Sequence, residues 1–297
     1  MSEPETGRAR GRRGRRAGIA AASLFAVAIA LLWTQREPIA EQIIRSELEK
    51  RGVPASYRLV AIGPGAATLR NIRLGPPEAP DLVAGITRVG LRWGWKGPVL
   101  ESLSAQDVVL RGRWGDQGLS LGSLDRLMPA ASGEPFTLPE IRLALSNVKV
   151  ELGTPAGPML LDLAGQGLLT DGFRGRVAVR APRPRISDCA ARAAAGTFAV
   201  STGRREISVK GPVALTALRC STHDDPRASV DMLRASVNLL VPERLETMRG
   251  GLRLAAADIA AGGAGAAAAR YDGRVEGRLD GTVLTLHEAA SHHYTTS

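Results

Sequence analysis

The sequence predicts an all-β protein that follows an N-terminal transmembrane helix, and three observations indicate this fold class. Glycine and proline are abundant, at 34 and 18 of 297 residues, which favours short strands joined by tight turns. Between residues 55 and 286, apolar residues alternate with polar or small ones, the period of a β-strand. Before this region, residues 17–35 form an apolar run without a charge. The connections are short, so neighbouring strands are expected to pair antiparallel.

The first two elements are a basic tail at residues 1–16 and a transmembrane helix at residues 17–35. Six arginines precede the apolar run, so the tail is expected in the cytoplasm and the rest of the chain is exported. A helix of that length spans roughly 28 Å, enough for a bilayer core. A cleaved signal peptide has the same basic-then-apolar order, but no small-x-small site follows the run. The side chains predicted to lie in the membrane are Ile19, Leu24, Phe25, Val27, Ile29, Leu31, Leu32 and Trp33.

Residues 36–54 are predicted to form a short amphipathic helix next to the membrane. Pro38 suits the first turn of a helix, and Gly52 followed by Pro54 ends it. The apolar side chains at helical spacing are Ile39, Ile43, Ile44 and Leu48.

The region from residue 55 to 286 is predicted to consist of short strands, with a further short strand and a helical turn at Leu119–Met128. On one of them, residues 85–95, Ile86 is offset from the face shared by Val89 and Leu91. Leucine, valine, isoleucine and alanine dominate the apolar faces, whereas aromatic residues are only 4% of the chain. Two interpretations remain open: an aliphatic β-sandwich core, or sheet faces held apart around an apolar ligand. The predicted strands are 57–62, 68–74, 85–95, 108–114, 141–145, 148–152, 160–169, 175–180, 197–201, 207–209, 214–218, 229–240, 251–261, 274–279 and 282–286.

Composition and motifs argue against several functional classes. Of the net charge of +10, +4 lies in the first sixteen residues and the remaining +6 is spread as single charges between apolar positions, with few aromatics to stack on bases, so no nucleic-acid partner is expected. His223-Asp224-Asp225 offers a single imidazole and is typical of a solvated loop, so no metal site is predicted. The sequence from Ser201 to Arg205 is typical of a hairpin turn, and a phosphate-binding loop is the alternative interpretation. No nucleophile, phosphate-loop or dinucleotide motif occurs in a suitable context, so neither an enzyme nor a cofactor is predicted.

The two cysteines, Cys189 and Cys220, are candidates for a disulfide. In an exported protein, an oxidising compartment favours that bond, and the alternative is two buried thiols. Two cysteines are too few for a disulfide-rich scaffold or a four-thiolate zinc site.

Two segments resemble a known family. The sequence W-T-Q-R-E-P-I-A-E-Q-I-I-R-S-E-L-E-K-R-G-V-P-A-S-Y at Trp33–Tyr57 resembles the start of the YdbH-like branch of the AsmA-like, TamB-related proteins. The sequence G-P-V-L-E-S-L-S-A-Q-D-V-V-L-R-G-R-W at Gly97–Trp114 is similar to the group's opening repeat. The resemblance runs from about residue 8 to residue 286. Family members are longer and residues 287–297 lack the strand pattern, so we expect a truncated or frame-shifted version of a longer protein.

The resemblance implies a protein of the bacterial inner membrane whose bulk lies in the periplasm. It implies an antiparallel, curled β-sheet that forms an open apolar groove, roughly 65 Å long for fourteen strands. The groove would bind phospholipid acyl chains and take part in intermembrane lipid transport, with outer-membrane or envelope proteins as further partners. A non-enzymatic envelope scaffold with a packed sandwich is the alternative. An older name for the family's domain, dicarboxylate transport, has no carboxylate site to support it here. The residues expected to line the groove are Val89, Leu91, Trp93, Val109, Leu143, Leu145, Val148 and Val150.

Overall fold

The computed structural model describes most of the region after residue 44. The described residues are 42, 45–63, 65–94, 97–115, 118–127, 138–203, 206–221, 228–242, 247–261, 264–278 and 284–288. The transmembrane helix predicted at 17–35 and most of the amphipathic helix predicted at 36–54 therefore lie outside them, as do residues 289–297. The chain divides into two units, Met1–Glu47 and Leu48–Ser297. No helix within the described ranges combines the length and the apolar character needed to cross a membrane.

A helix that includes residues 45–50 ends where the sequence predicts, at Gly52. Gly52 adopts a φ of 65°, a left-handed conformation that glycine takes without steric cost. Its N–H donates to the carbonyl of Glu49, and the N–H of Val53 donates to the carbonyl of Leu48, both at 2.9 Å. These two bonds satisfy the last helical carbonyls in the Schellman arrangement. Val53 is only 2% exposed and leads into the first strand.

Within the described ranges, sixteen strands form one sheet. The main path of neighbours is β1-β2-β3-β4-β6-β7-β8-β11-β12-β13-β14-β15-β16, with the short strands β5, β9 and β10 beside it. The strands are β1 Ala55–Gly63, β2 Ala66–Leu74, β3 Leu82–Gly94, β4 Gly97–Gly115, β5 Gly118–Ser120, β6 Arg142–Thr154, β7 Gly157–Leu168, β8 Arg174–Pro182, β9 Arg185–Ile186, β10 Cys189–Ala190, β11 Ala193–Gly203, β12 Glu206–Cys220, β13 Ala228–Pro242, β14 Thr247–Ala261, β15 Ala264–Arg278 and β16 Leu284–Glu288.

One strand pair differs from the predicted antiparallel arrangement. β4 and β6 run parallel, with a register from Ser102 opposite Arg142 to Arg113 opposite Gly153. A parallel neighbour needs a connection long enough to bring the chain back to the same end, and residues 116–141 supply it. This segment holds β5 and a short 3₁₀ helix, Gly122–Leu127, which confirms the strand and turn predicted at 119–128.

Asp81, which directly precedes β3, binds the 3₁₀ helix through its side chain. Its carboxylate accepts hydrogen bonds from the backbone N–H of Ser123, at 2.9 Å, and from the Ser123 hydroxyl, at 2.6 Å. Arg126 donates to the carbonyl of Gly52 at 2.6 Å, and Leu124 is buried. The connection is thereby tied both to the sheet and to the C-terminal end of the helix.

The sheet is open and uncurled, which corrects the expected curled sheet. Each strand of the main path contacts its neighbours in the path, and β1 and β16 occupy its two ends without pairing to each other. No second sheet packs on this one within the described ranges, so the sandwich interpretation is wrong for this part of the chain. The tightest apolar cluster there is accordingly small, with Ala84, Val108 and Val148 buried at its centre.

Candidate functional site

The register of the sheet brings apolar side chains together on one face, which we call the apolar face. Directly paired residues in neighbouring strands point to the same side, so the pairing can be followed from strand to strand. One row crosses the sheet from β2 to β15 without a charged residue. Its members are Leu74, Leu82, Leu110, Val150, Leu161, Val179, Gly196, Val213, Ala235, Leu254 and Tyr271.

The opposite side, which we call the charged face, carries arginines and carboxylates. The adjacent row there is Arg111, Glu151, Leu160, Arg180, Ala195, Ala214, Arg234, Ala255 and Arg270. Among the described residues, four ion pairs lie on this face: Arg111–Glu151, Arg180–Asp162, Arg249–Glu206 and Arg253–Asp272. The sheet is therefore amphipathic over its whole described width, with one face offered to water and the other lacking charge.

Residues in the left-handed conformation interrupt three strands in the first half of the sheet. Asn71, Asp107 and Asn147 in β2, β4 and β6 have φ values of 52°, 56° and 51°. Asp107 and Asn147 stand side by side, between the pairs Gln106–Ser146 and Val108–Val148. The Asn147 Nδ2 donates to the Asp107 Oδ1 at 2.6 Å. Asparagine and aspartate tolerate this conformation better than other side chains with a Cβ.

Each left-handed residue changes which alternate positions face the apolar side. Ala105 and Val108 are three residues apart, so in a regular strand they would point to opposite faces. Both nevertheless pack in the cluster around Ala84, and Leu145 and Val148 do the same in β6. The left-handed residue between them therefore keeps the apolar face continuous across the sheet.

The same switch explains the offset of Ile86 seen in the sequence. Ile86 pairs with Arg70 and Gln106, whereas Val89 pairs with Ala67 and Leu103. Gly85 lies at the switch in β3, where a Cβ would come within 3.1 Å of the Cβ of Asp107.

Six of the eight side chains expected to line a groove lie on the apolar face. They are Val89, Leu91, Leu143, Leu145, Val148 and Val150. Val109 does not, because it follows the buried Val108 and pairs with Val83 and Lys149 on the charged face. The backbone of Trp93 pairs with Pro98 at the end of β3, and its side chain lies outside the described set.

The Asn and Asp positions were missed by the sequence prediction, although a signal for them exists. The segments L-R-N-I-R-L, A-Q-D-V-V-L and L-S-N-V-K-V share one pattern, at residues 69–74, 105–110 and 145–150. In each, the third residue is Asn or Asp and the fourth is a β-branched residue. The polar third residue breaks the alternation and marks the left-handed position.

The two cysteines meet at one end of β12. Cys189 lies directly opposite Cys220 in the register of β10 and β12, and a disulfide joins them. No group of three His, Cys, Asp or Glu residues that could hold a metal occurs in the described ranges. His223, Asp224 and Asp225 lie outside those ranges, as do Arg204 and Arg205.

One carboxyl group has a clearly shifted pKa. Hydrogen bonds from the Ser120 hydroxyl, at 2.6 Å, and from the Leu121 N–H, at 2.8 Å, lower the pKa of Asp125. Both bonds favour the ionised form. This group braces the 3₁₀ helix and lies away from the apolar rows.

Comparison with known proteins gives one match. The model of the YdbH-like family, described as intermembrane phospholipid transport protein YdbH, matches residues 23–292. No curated protein and no solved structure matches the chain. The family match covers every strand described above, and so includes both faces of the sheet.

Proposed function

The chain belongs to the YdbH-like family, a family of intermembrane phospholipid transport, and on this premise we propose that its apolar face binds phospholipid acyl chains. The observation that carries the proposal is the uncharged row that crosses the sheet from β2 to β15. A hydrocarbon chain lying along this row from Leu74 to Leu254 meets no polar side chain that would require a hydrogen-bond partner, and the hydroxyl of Tyr271 stands at the end of the row.

The expected binding is strong enough for transport without a specific pocket. Burial of one methylene is worth about 0.8 kcal/mol. A chain of some sixteen carbons that rests on an open face buries about half of its surface, which corresponds to roughly 6 kcal/mol. In a bilayer the same acyl chain is fully buried and is therefore more stable than on the open face. Bound lipid can consequently leave the protein for a membrane. The eleven strands that the uncharged row crosses, at about 4.8 Å spacing, give the path a length of roughly 48 Å.

We further propose that the protein is anchored in the inner membrane through residues 17–35 and that its sheet lies in the periplasm. The six arginines before residue 17 support this orientation. The disulfide between Cys189 and Cys220 supports an oxidising compartment. Envelope or outer-membrane proteins are the expected partners at the far end of the route.

Site-specific photo-crosslinking tests where lipid binds. A benzophenone amino acid in place of Val150 would sit on the apolar face, and the same group in place of Lys149 would sit on the charged face. After irradiation in cells or in lipid-loaded detergent, mass spectrometry should find phospholipid attached at position 150 and not at position 149. Equal labelling at the two positions, or none at either, would contradict the proposal.

A charge placed on the apolar face should displace lipid. Val150→Asp puts a carboxylate against the acyl chains, where an unpaired charge is costly, so we expect several-fold less co-purified phospholipid. Asn238→Asp adds the same charge on the opposite face, where Asn238 pairs with Lys210, and should retain the wild-type amount. Organic extraction with phosphorus quantification measures both, and circular dichroism checks that both variants are folded.

A further inference from the structure

We propose that the charged face holds a binding site for a phosphate-class oxyanion, built chiefly by Arg234 and Arg270. The site lies on the side of the sheet opposite the apolar face, so it is independent of acyl-chain binding. Two adjoining cavities mark it, with volumes of about 590 Å³ and 460 Å³. Arg234 and Pro212 line both of them.

Small residues between the arginines create these cavities. Along the row that crosses the charged face, Arg180 and Arg234 are separated by Ala195 and Ala214. Ala255 alone separates Arg234 from Arg270. A methyl group between two long side chains leaves a depression with an apolar floor and guanidinium walls. The side chains of the row itself therefore shape the site, without help from a loop.

Two of the guanidinium groups that line the cavities are not paired with a carboxylate of the described residues. Four arginines line the cavities, against two aspartates. Asp162 pairs with Arg180, and Asp272 pairs with Arg253 at 3.0 Å. Arg234 and Arg270 have no hydrogen-bond or ion-pair partner within the described residues. Among the described residues, nothing competes with an anion for their donors.

The spacing of the two free arginines favours phosphate over carboxylate. Two strand intervals, about 10 Å between backbones, separate Arg234 from Arg270, so the two side chains can converge above Ala255. A guanidinium group binds an oxyanion through two parallel N–H donors. A carboxylate presents one edge of two oxygens and so satisfies one such fork. A tetrahedral phosphate presents several edges and can accept both forks at once.

Titration of the detergent-solubilised full chain with inorganic phosphate tests the site. Calorimetry at constant ionic strength, balanced with chloride to keep screening equal, should detect binding to the wild type. The double variant Arg234→Gln, Arg270→Gln should bind at least about tenfold more weakly, since each lost bond involves a charged group.

The control is the double variant Arg174→Gln, Arg176→Gln, which removes the same charge from the same face outside the cavities. We expect less than about a twofold change in its affinity, since remote exposed charges are largely screened. Val150→Asp, on the apolar face, should also leave phosphate binding intact, so this site and the lipid path can fail separately. Absence of binding to the wild type, or an equal loss in both double variants, would overturn the proposal.

A second titration identifies the source of the phosphate group. Glycerol 3-phosphate, the deacylated headgroup of phosphatidic acid, is a phosphomonoester that keeps three free oxygens and can accept both forks, whereas inorganic phosphate carries no glycerol. Tighter binding of the headgroup, lost in the Arg234→Gln, Arg270→Gln variant, assigns the site to lipid. Tighter binding of inorganic phosphate, lost in the same variant, assigns it to a soluble anion.

Discussion

Substitution of Asn147 by valine tests whether the left-handed residues keep the apolar side chains on one face. Asn147 has a φ of 51° in the middle of β6. A β-branched residue fits this conformation poorly. The strand must then either accept the strain or straighten, and straightening would turn Val148 towards the charged face.

Both outcomes cost a similar amount. The left-handed conformation costs a residue with a Cβ roughly 1–2 kcal/mol. The hydrogen bond from Asn147 to Asp107, at 2.6 Å, contributes about 1 kcal/mol more. If the strand straightens, loss of the buried Val148 from its cluster costs roughly 1.5–3 kcal/mol. We therefore expect Asn147→Val to lower the free energy of unfolding by roughly 2–3 kcal/mol.

Urea denaturation of the full chain in detergent, followed by far-ultraviolet circular dichroism, measures this change. Ser146→Val is the matched control, because Ser146 is exposed and is not left-handed; its effect should stay within about 0.5 kcal/mol. Asn147→Gly keeps the backbone conformation while it removes the hydrogen bond, and should fall between the two. If Asn147→Val and Ser146→Val destabilise equally, the left-handed residue does not determine which face the side chains take.

Three further predictions concern other parts of the sheet. Replacement of Cys189 and Cys220 by alanine should lower the free energy of unfolding by roughly 3–4 kcal/mol, and a reductant should shift the wild-type urea midpoint in the same direction and leave the variant unchanged. Ser120→Ala should raise the pKa of Asp125 towards its usual value of 3.8, as followed by carboxyl chemical shifts. Because the folded-state pKa is lowered, ionised Asp125 favours the folded protein, and this contribution disappears as the pH falls through the folded pKa. Ala84→Leu should destabilise the chain by about 1–3 kcal/mol through overpacking, and an unchanged urea midpoint would show that the cluster is loose.

Local alternation was sufficient to locate most strands. The predicted segments 57–62, 68–74 and 229–240 lie within β1, β2 and β13. The ends of the strands were less well predicted, because a strand that is paired with its neighbour continues through residues that do not alternate between apolar and polar. The alanine-rich half of β15 was missed for this reason, since alanine suits either face and gives no period.

The left-handed residues account for most of the other errors. β6 was predicted as two strands, 141–145 and 148–152, because the alternation breaks at Asn147. Val109 was assigned to the apolar side, and it is in phase with Leu103 and Ala105, but the left-handed Asp107 reverses that phase in the second half of β4. The backbone conformation of one residue decides these cases, and apolar periodicity does not report it.

Longer-range features had no local signal. The parallel pairing of β4 with β6 depends on the path of residues 116–141. The open, single-layer sheet depends on the absence of a partner for the apolar face, and the same alternation would also serve a sandwich. The charged-face cavities depend on which residues become neighbours across three or more strands, which only the register reveals.

Because the strands of this sheet contact mainly their immediate neighbours, the length of the sheet across its strands can change by one hairpin at a time. Each strand is stabilised by the strand before and the strand after it, as in repeat proteins whose stability is a sum of local units and their interfaces. Gain or loss of one hairpin would therefore change the span by about 10 Å while it leaves the side-chain polarity of every other strand in place. On the proposed transport role, duplication or deletion of hairpins would match the sheet to membranes at different distances without redesign of a core.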